Sequence, residues 1–121
     1  MILVVTALVG GLGAAVRLAL DTMLTRRAVD SWLRLMLINV SGSALLGLLA
    51  GLAADRTVPP ALQLILGAGF LGGYTTFSAA SLATVRLVEE RRWAASLASS
   101  LGMLLGSAAV AALGLVVGLA L

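Results

Sequence analysis

An asparagine set in an apolar run is the first residue of this chain that could do chemistry. Asn39 stands within Leu37-Ile38-Asn39-Val40-Ser41-Gly42, where its amide must find partners. It can line a polar pathway or hydrogen-bond a neighbouring helix, and the local sequence leaves both open. The second candidate is Gly72-Gly73-Tyr74-Thr75-Thr76-Phe77-Ser78, again in apolar surroundings. A helix interrupted there would release backbone carbonyls and N–H groups, tolerated only inside protein, beside water or around an ion. An unbroken helix crossed closely at the glycines is the alternative. Freed carbonyls suit a hard cation, whereas the positive edge of the Phe77 ring suits an anion path. Arg17, near the end of the first apolar run, has the position of an interfacial anchor. Histidine and cysteine are absent, so imidazole catalysis, thiolate chemistry and disulfides are unavailable. Every carboxylate lies in a loop or at a span end. No acid–base pair or metal cluster can form in the apolar interior, and an enzyme is excluded. Coupled proton transport would also want an acid there.

The elements that must position these residues follow from composition. Of the 121 residues 61% are hydrophobic and only 11% charged; a soluble domain carries about twice that share of charge. Residues 1–16 and 96–121 hold no charge at all, so most of the chain is solvated by lipid. A helix needs roughly 20 apolar residues to cross the hydrocarbon, and four segments qualify: about 2–20, 32–53, 61–88 and 93–120. The predicted fold is a single all-α membrane domain of four transmembrane helices, the third broken near its middle. The first segment is read as a retained span, because no basic stretch precedes it and no small-residue cleavage site ends it. Asp55-Arg56-Thr57-Val58-Pro59-Pro60 closes the second span and opens the third with proline. Trp32 and Trp93 fall where interfacial tryptophans are expected. Small residues recur at four-residue spacing in Gly10 and Ala14, Gly47 and Gly51, Gly102 and Gly106, and Gly114 and Gly118, the pattern of close helix packing in lipid.

Arginine alone sets the positive charge, and its distribution is lopsided. The first and third connections hold Arg26, Arg27, Arg34, Arg86, Arg91 and Arg92, with Arg17 nearby; the second holds Arg56. The positive-inside rule places both termini outside the cell membrane in one fixed topology. Lipid phosphates, not nucleic acid, are the natural partners of these arginines.

Three motifs together resemble the Fluc (CrcB) family of fluoride channels. They are Gly10-Gly11-Leu12-Gly13-Ala14-Ala15-Val16-Arg17, Asn39-Val40-Ser41-Gly42, and Gly69-Phe70-Leu71-Gly72-Gly73-Tyr74-Thr75-Thr76-Phe77-Ser78, in the family's order and on spans one, two and three. The resemblance implies an antiparallel dimer with two narrow pores that passively releases cytoplasmic fluoride. It implies that Asn39 donates an N–H to fluoride and that Phe77 offers a ring edge, with Ser78 and Ser81 on the same pathway. The Gly72 and Thr75 carbonyls would bind a central structural sodium ion (Na+) with those of the dimer-mate. Arg17 would close the first span near a vestibule. The chain departs from the family at Ala80, where a second pore phenylalanine is usual, at Ala83 for a glutamate, and at Leu35 for a threonine. Gly102 stands where the fourth span often offers a serine. A fixed topology and a depleted pore half lead to a heterodimer with a homologue of opposite orientation. The alternatives are an inactive structural partner and a small multidrug exporter; the latter is disfavoured because the first span lacks the acid it needs.

Overall fold

The computed structural model describes residues 1–54 and 57–121, 88% of the chain being helical. Asp55 and Arg56, expected to close the second span and to carry its loop's charge, lie outside the described residues. Helix α1 (Ile2–Arg26) overruns its expected end at Leu20. The extra turns carry Thr22 and Thr25, whose hydroxyls donate to the Leu18 and Asp21 carbonyls at 2.8 and 2.7 Å. The helix stops where Ala28 takes a left-handed φ of 55° and Val29 N–H returns to the Leu24 carbonyl, a Schellman-type ending made without glycine. Helix α2 (Ser31–Ala54) then begins at once.

Arg34 fastens this hairpin. Its Nε donates to Asp21 Oδ1 at 2.9 Å and its Nη1 to the Val29 carbonyl at 2.6 Å. The charge counted as a loop arginine is therefore part of a clasp between the end of α1 and the first turn of α2.

The third crossing is built in two pieces, and the third helix bends by 26° near its middle. Helix α3 (60–74) starts with Pro60 at its first position, where a missing N–H costs nothing. It continues through a π-helical stretch, Leu64–Leu71, and ends in Gly72–Tyr74. Thr75 and Thr76 are extended, after which helix α4 (Phe77–Glu89) runs on to the second arginine turn. There Arg91 repeats the left-handed ending, with φ 58°. Helix α5 (Trp93–Ala120) completes the fold. Helices α1, α2 and α5 are each long and apolar enough to cross a membrane. Neither α3 nor α4 is long enough alone.

Two tight pairs hold the bundle together. Helix α1 packs on α3, and α2 packs on α5. A Cβ on Gly13 would strike the Phe70 carbonyl, and one on Gly73 the Gly10 carbonyl. In the second pair, a Cβ on Gly47 would strike the Ala111 carbonyl, and one on Gly118 the Leu48 carbonyl. The small-residue pattern thus marks real backbone-to-backbone crossings, which lipid-embedded helices use in place of a hydrophobic driving force. Gly102 and Gly106 have nothing near them and form no crossing in this fold. The core is thin: Ile38, Leu71 and Tyr74 are its only buried hydrophobic residues among those described, while leucines and valines cover the outside.

The glycines do not make the break. Gly72 and Gly73 are helical, and the lack of a side chain at Gly73 lets α3 lie against α1. The chain opens two residues later, at Thr75 and Thr76. The helix is interrupted and not intact, with the close glycine crossing and the break in adjacent halves of one motif.

Candidate functional site

The break sits against α2 because Gly42 leaves room for it. A Cβ there would collide with the Thr75 methyl and the Tyr74 ring. Its neighbour Ser41 meets the Tyr74 hydroxyl at 2.9 Å, and Asn39, nearly one turn before Gly42, reaches the break itself. Its Oδ1 accepts the Thr76 N–H at 2.9 Å. That bond fixes which way the amide points: oxygen toward the backbone, nitrogen away from it. The Nδ2 group makes only weak contacts, a long one of 3.4 Å to the Thr76 carbonyl and one of 3.6 Å to the poor acceptor Met103 Sδ, with Asn39 only 9% exposed.

Around this amide lies a cavity of about 660 Å³ between α2, the break, α4 and α5. Five of the residues expected at the site line it: Asn39, Phe77, Ser81, Gly72 and Thr75. So do Ala80 and Ala83, the positions where bulkier or charged groups were expected. Among the described residues no ionisable side chain is on its wall. Anything bound there meets neutral donors, hydroxyls and ring edges.

Two expected residues are not brought to the cavity. Ser78 is exposed and pairs with Thr76 Oγ1 at 3.2 Å. Arg17 is half-exposed on α1, outside the cavity wall. Conversely, Thr76 and Met103 touch Asn39 without having been singled out. Thr84 and Ser100, also on the wall, join α4 to α5 through a 3.0 Å hydroxyl pair. Only Thr76 stood inside a recognised motif; Met103 and Ser100 belong to a uniformly apolar helix with no pattern to mark them.

The break also releases two carbonyls. In an unbroken helix the Thr76 N–H would serve the Gly72 carbonyl, and the Ala79 N–H the Thr75 carbonyl. Here Thr76 N–H goes to Asn39 and Ala79 N–H to the Thr76 hydroxyl at 3.3 Å. Among the described residues no cluster of acidic, histidine or cysteine side chains could hold a metal, so any cation here would rest on such backbone oxygens.

Phe77 is 88% exposed in the single chain. As the first residue of α4 it contributes to the cavity wall and still leaves most of its ring uncovered.

Residues 4–118, almost the whole chain, match the family model described as CrcB-like protein, Camphor Resistance (CrcB). The chain belongs to the CrcB family. Its relatives include Fluoride-specific ion channel FluC 1 of Leifsonia xyli, 45% identical over 119 residues, covering 98% of this chain and 87% of that protein. Fluoride-specific ion channel FluC 2 of Mycolicibacterium paratuberculosis is 44% identical over 105 residues, 85% of this chain and 83% of that protein. The FluC of Anaeromyxobacter dehalogenans is 40% identical over 111 residues, 90% and 88% of the two chains. The relatives are ion channels by name, and the family is one of transporters and not of enzymes.

Proposed function

We propose that this chain is a subunit of a passive fluoride-selective channel that releases cytoplasmic fluoride across the cell membrane. The observation that carries the reading is the Asn39 amide. Its oxygen is committed to Thr76 and its N–H₂ is only weakly engaged, in a cavity without charge. Fluoride is small and hard, and must exchange its water for strong donors. A hydrogen bond to an ion is about twice as strong as a neutral one, so such an amide favours the anion over its present contacts. Ser81 adds a hydroxyl on the same wall. Phe77 adds a positive ring edge, and Ser78 stands beside it on the first turn of α4.

The exposure of Phe77 supports an antiparallel dimer, in which its ring enters a pore shared with the second subunit. Gly72 and Thr75 fit a structural sodium ion at that dimer's centre, since both carbonyls have lost their in-helix donors to Asn39 and Thr76. A sodium ion bound there supplies positive charge to the carbonyl dipoles of both breaks. Arg17 serves the vestibule, outside the narrow path. The direct test is fluoride efflux from liposomes, followed with a fluoride electrode, for this chain alone and with an oppositely oriented homologue. Efflux in either preparation, with chloride retained, is expected; none in both would overturn the channel reading.

Orientation is checked separately. The chain has no native cysteine, so single cysteines at the exposed positions Ser31 and Thr57 can be labelled without background. Ser31→Cys should react only from the cytoplasmic side and Thr57→Cys only from outside. Labelling of each from both faces would mean two topologies and would refute the fixed insertion.

A further inference from the structure

Met103 closes the remaining side of the Asn39 amide, and nothing in the motifs anticipates it. It reaches Asn39 from α5, 64 residues along the chain, with Sδ at 3.6 Å from Nδ2. The second contact of that nitrogen, 3.4 Å to the Thr76 carbonyl, is longer than a good N–H···O bond. Nearby hydroxyls are engaged elsewhere: Thr84 with Ser100, and Ser99 with the Ser96 carbonyl. The one side chain set against the free donor is therefore a thioether, a weak acceptor on an unbranched stem with three rotatable bonds.

We infer that Met103 is a displaceable cap on the Asn39 donor, a positioning residue that keeps water off the N–H while binding it weakly enough for an anion to take its place. This rests on the reading of Asn39 as the fluoride donor. Three alternatives at position 103 show what sulfur contributes. An amide oxygen would hold the N–H at full strength and compete with the ion. A smaller side chain would admit water, which does the same. A leucine would keep the site dry but leave a buried donor without any acceptor, an unfavourable state that fluoride would relieve. Half-buried Met103 avoids both extremes, and its flexible stem lets the sulfur turn aside as the ion arrives.

The experiment uses the fact that Asn39 is the chain's only asparagine. Labelling with ¹⁵N-asparagine gives one pair of side-chain amide resonances, and ¹³C-methyl labelling reports the four methionines, with Met103 assigned from Met103→Leu. The channel assembly that passes fluoride is titrated in micelles with sodium fluoride against sodium chloride at constant ionic strength. In the wild type the Asn39 amide protons and the Met103 methyl should shift together, with one midpoint, for fluoride alone. Met103→Gln supplies a competing acceptor, and the net strength of a typical hydrogen bond predicts a midpoint raised about five- to tenfold. Its efflux should fall in step. Met103→Leu, which keeps the bulk, should bind fluoride at least as tightly as the wild type and serves as the folding control. A Met103 methyl that stays still while the amide titrates would overturn the cap, and so would a wild-type midpoint in Met103→Gln. An Asn39 amide that ignores fluoride in the wild type would overturn the donor assignment itself, and the cap with it. Because the wild-type titration decides between these outcomes, a poorly folded variant does not rescue the inference.

Discussion

Asn39→Asp should abolish fluoride efflux while leaving the fold in place. The two consequences come from opposite ends of one side chain. Aspartate keeps an oxygen where Oδ1 accepts the Thr76 N–H at 2.9 Å, so the break stays fastened to α2. At the other end it replaces the N–H₂ donor with an acceptor and a negative charge. At about 4 Å and an effective dielectric near 20, like charges repel by about 4 kcal/mol, which is about a thousandfold in ion occupancy. Efflux should drop below detection, with the assembly unchanged on size exclusion. Phe77→Ile is the companion test. The ring is 88% exposed in the single chain, so its loss leaves no internal cavity in the subunit. Isoleucine keeps apolar bulk without a positive edge, and efflux should again be lost. Normal efflux from either variant, in the assembly that conducts when unmutated, would remove that residue from the ion path.

What could be read beforehand was set by the kind of signal each feature leaves. Hydropathy located α1, α2 and α5, since a lipid-facing helix must be apolar on every exposed turn. The expected span closes at Leu20, where charge begins, whereas the helix runs on to Arg26, because a helix ends where hydrogen bonding does. Asp21 and Arg26 are charged and remain helical. The break was legible as a motif but not to the residue. Glycine permits an open backbone without requiring one, and here Gly72 and Gly73 stay helical, Gly73 pressed against α1. The threonines open the chain because an acceptor on another helix, Asn39 Oδ1, replaces the carbonyl that Thr76 N–H gives up. The π-helical stretch left no trace in the sequence, being one of several ways for an apolar segment to satisfy its backbone. Met103 was illegible for a different reason. It is one apolar residue among many on α5, and only the three-dimensional crossing of α2 and α5 brings it to Asn39.

Co-expression with a homologue of opposite arginine bias should give fluoride efflux well above that of either protein alone. Two independent features lead there. Six arginines at the connections assigned to the cytoplasm, Arg26, Arg27, Arg34, Arg86, Arg91 and Arg92, favour one orientation. Arg34 is further committed by its 2.9 Å contact with Asp21, which ties the charge to the folded hairpin and not to a freely moving loop. A chain inserted one way cannot readily provide the inverted mate that an antiparallel dimer needs. The second feature is the cavity. Ala80 and Ala83 both line it, leaving open space beside Asn39 where larger groups were expected, while the chain's own Phe77 is 88% exposed in the single chain. A partner that brings an aromatic side chain to the alanines would complete one pore, whereas two copies of this chain would leave both pores with the same gap. Phenylalanine at position 80 supplies a second test from within the chain. If the alanine gap limits conduction, Ala80→Phe should raise the activity of any homodimers that do form, and should bring no gain once the partner is present. The heterodimer reading predicts stable association on co-purification and restored efflux only in the mixed assembly. Full efflux from this protein alone, with no increase on adding the partner, would overturn it.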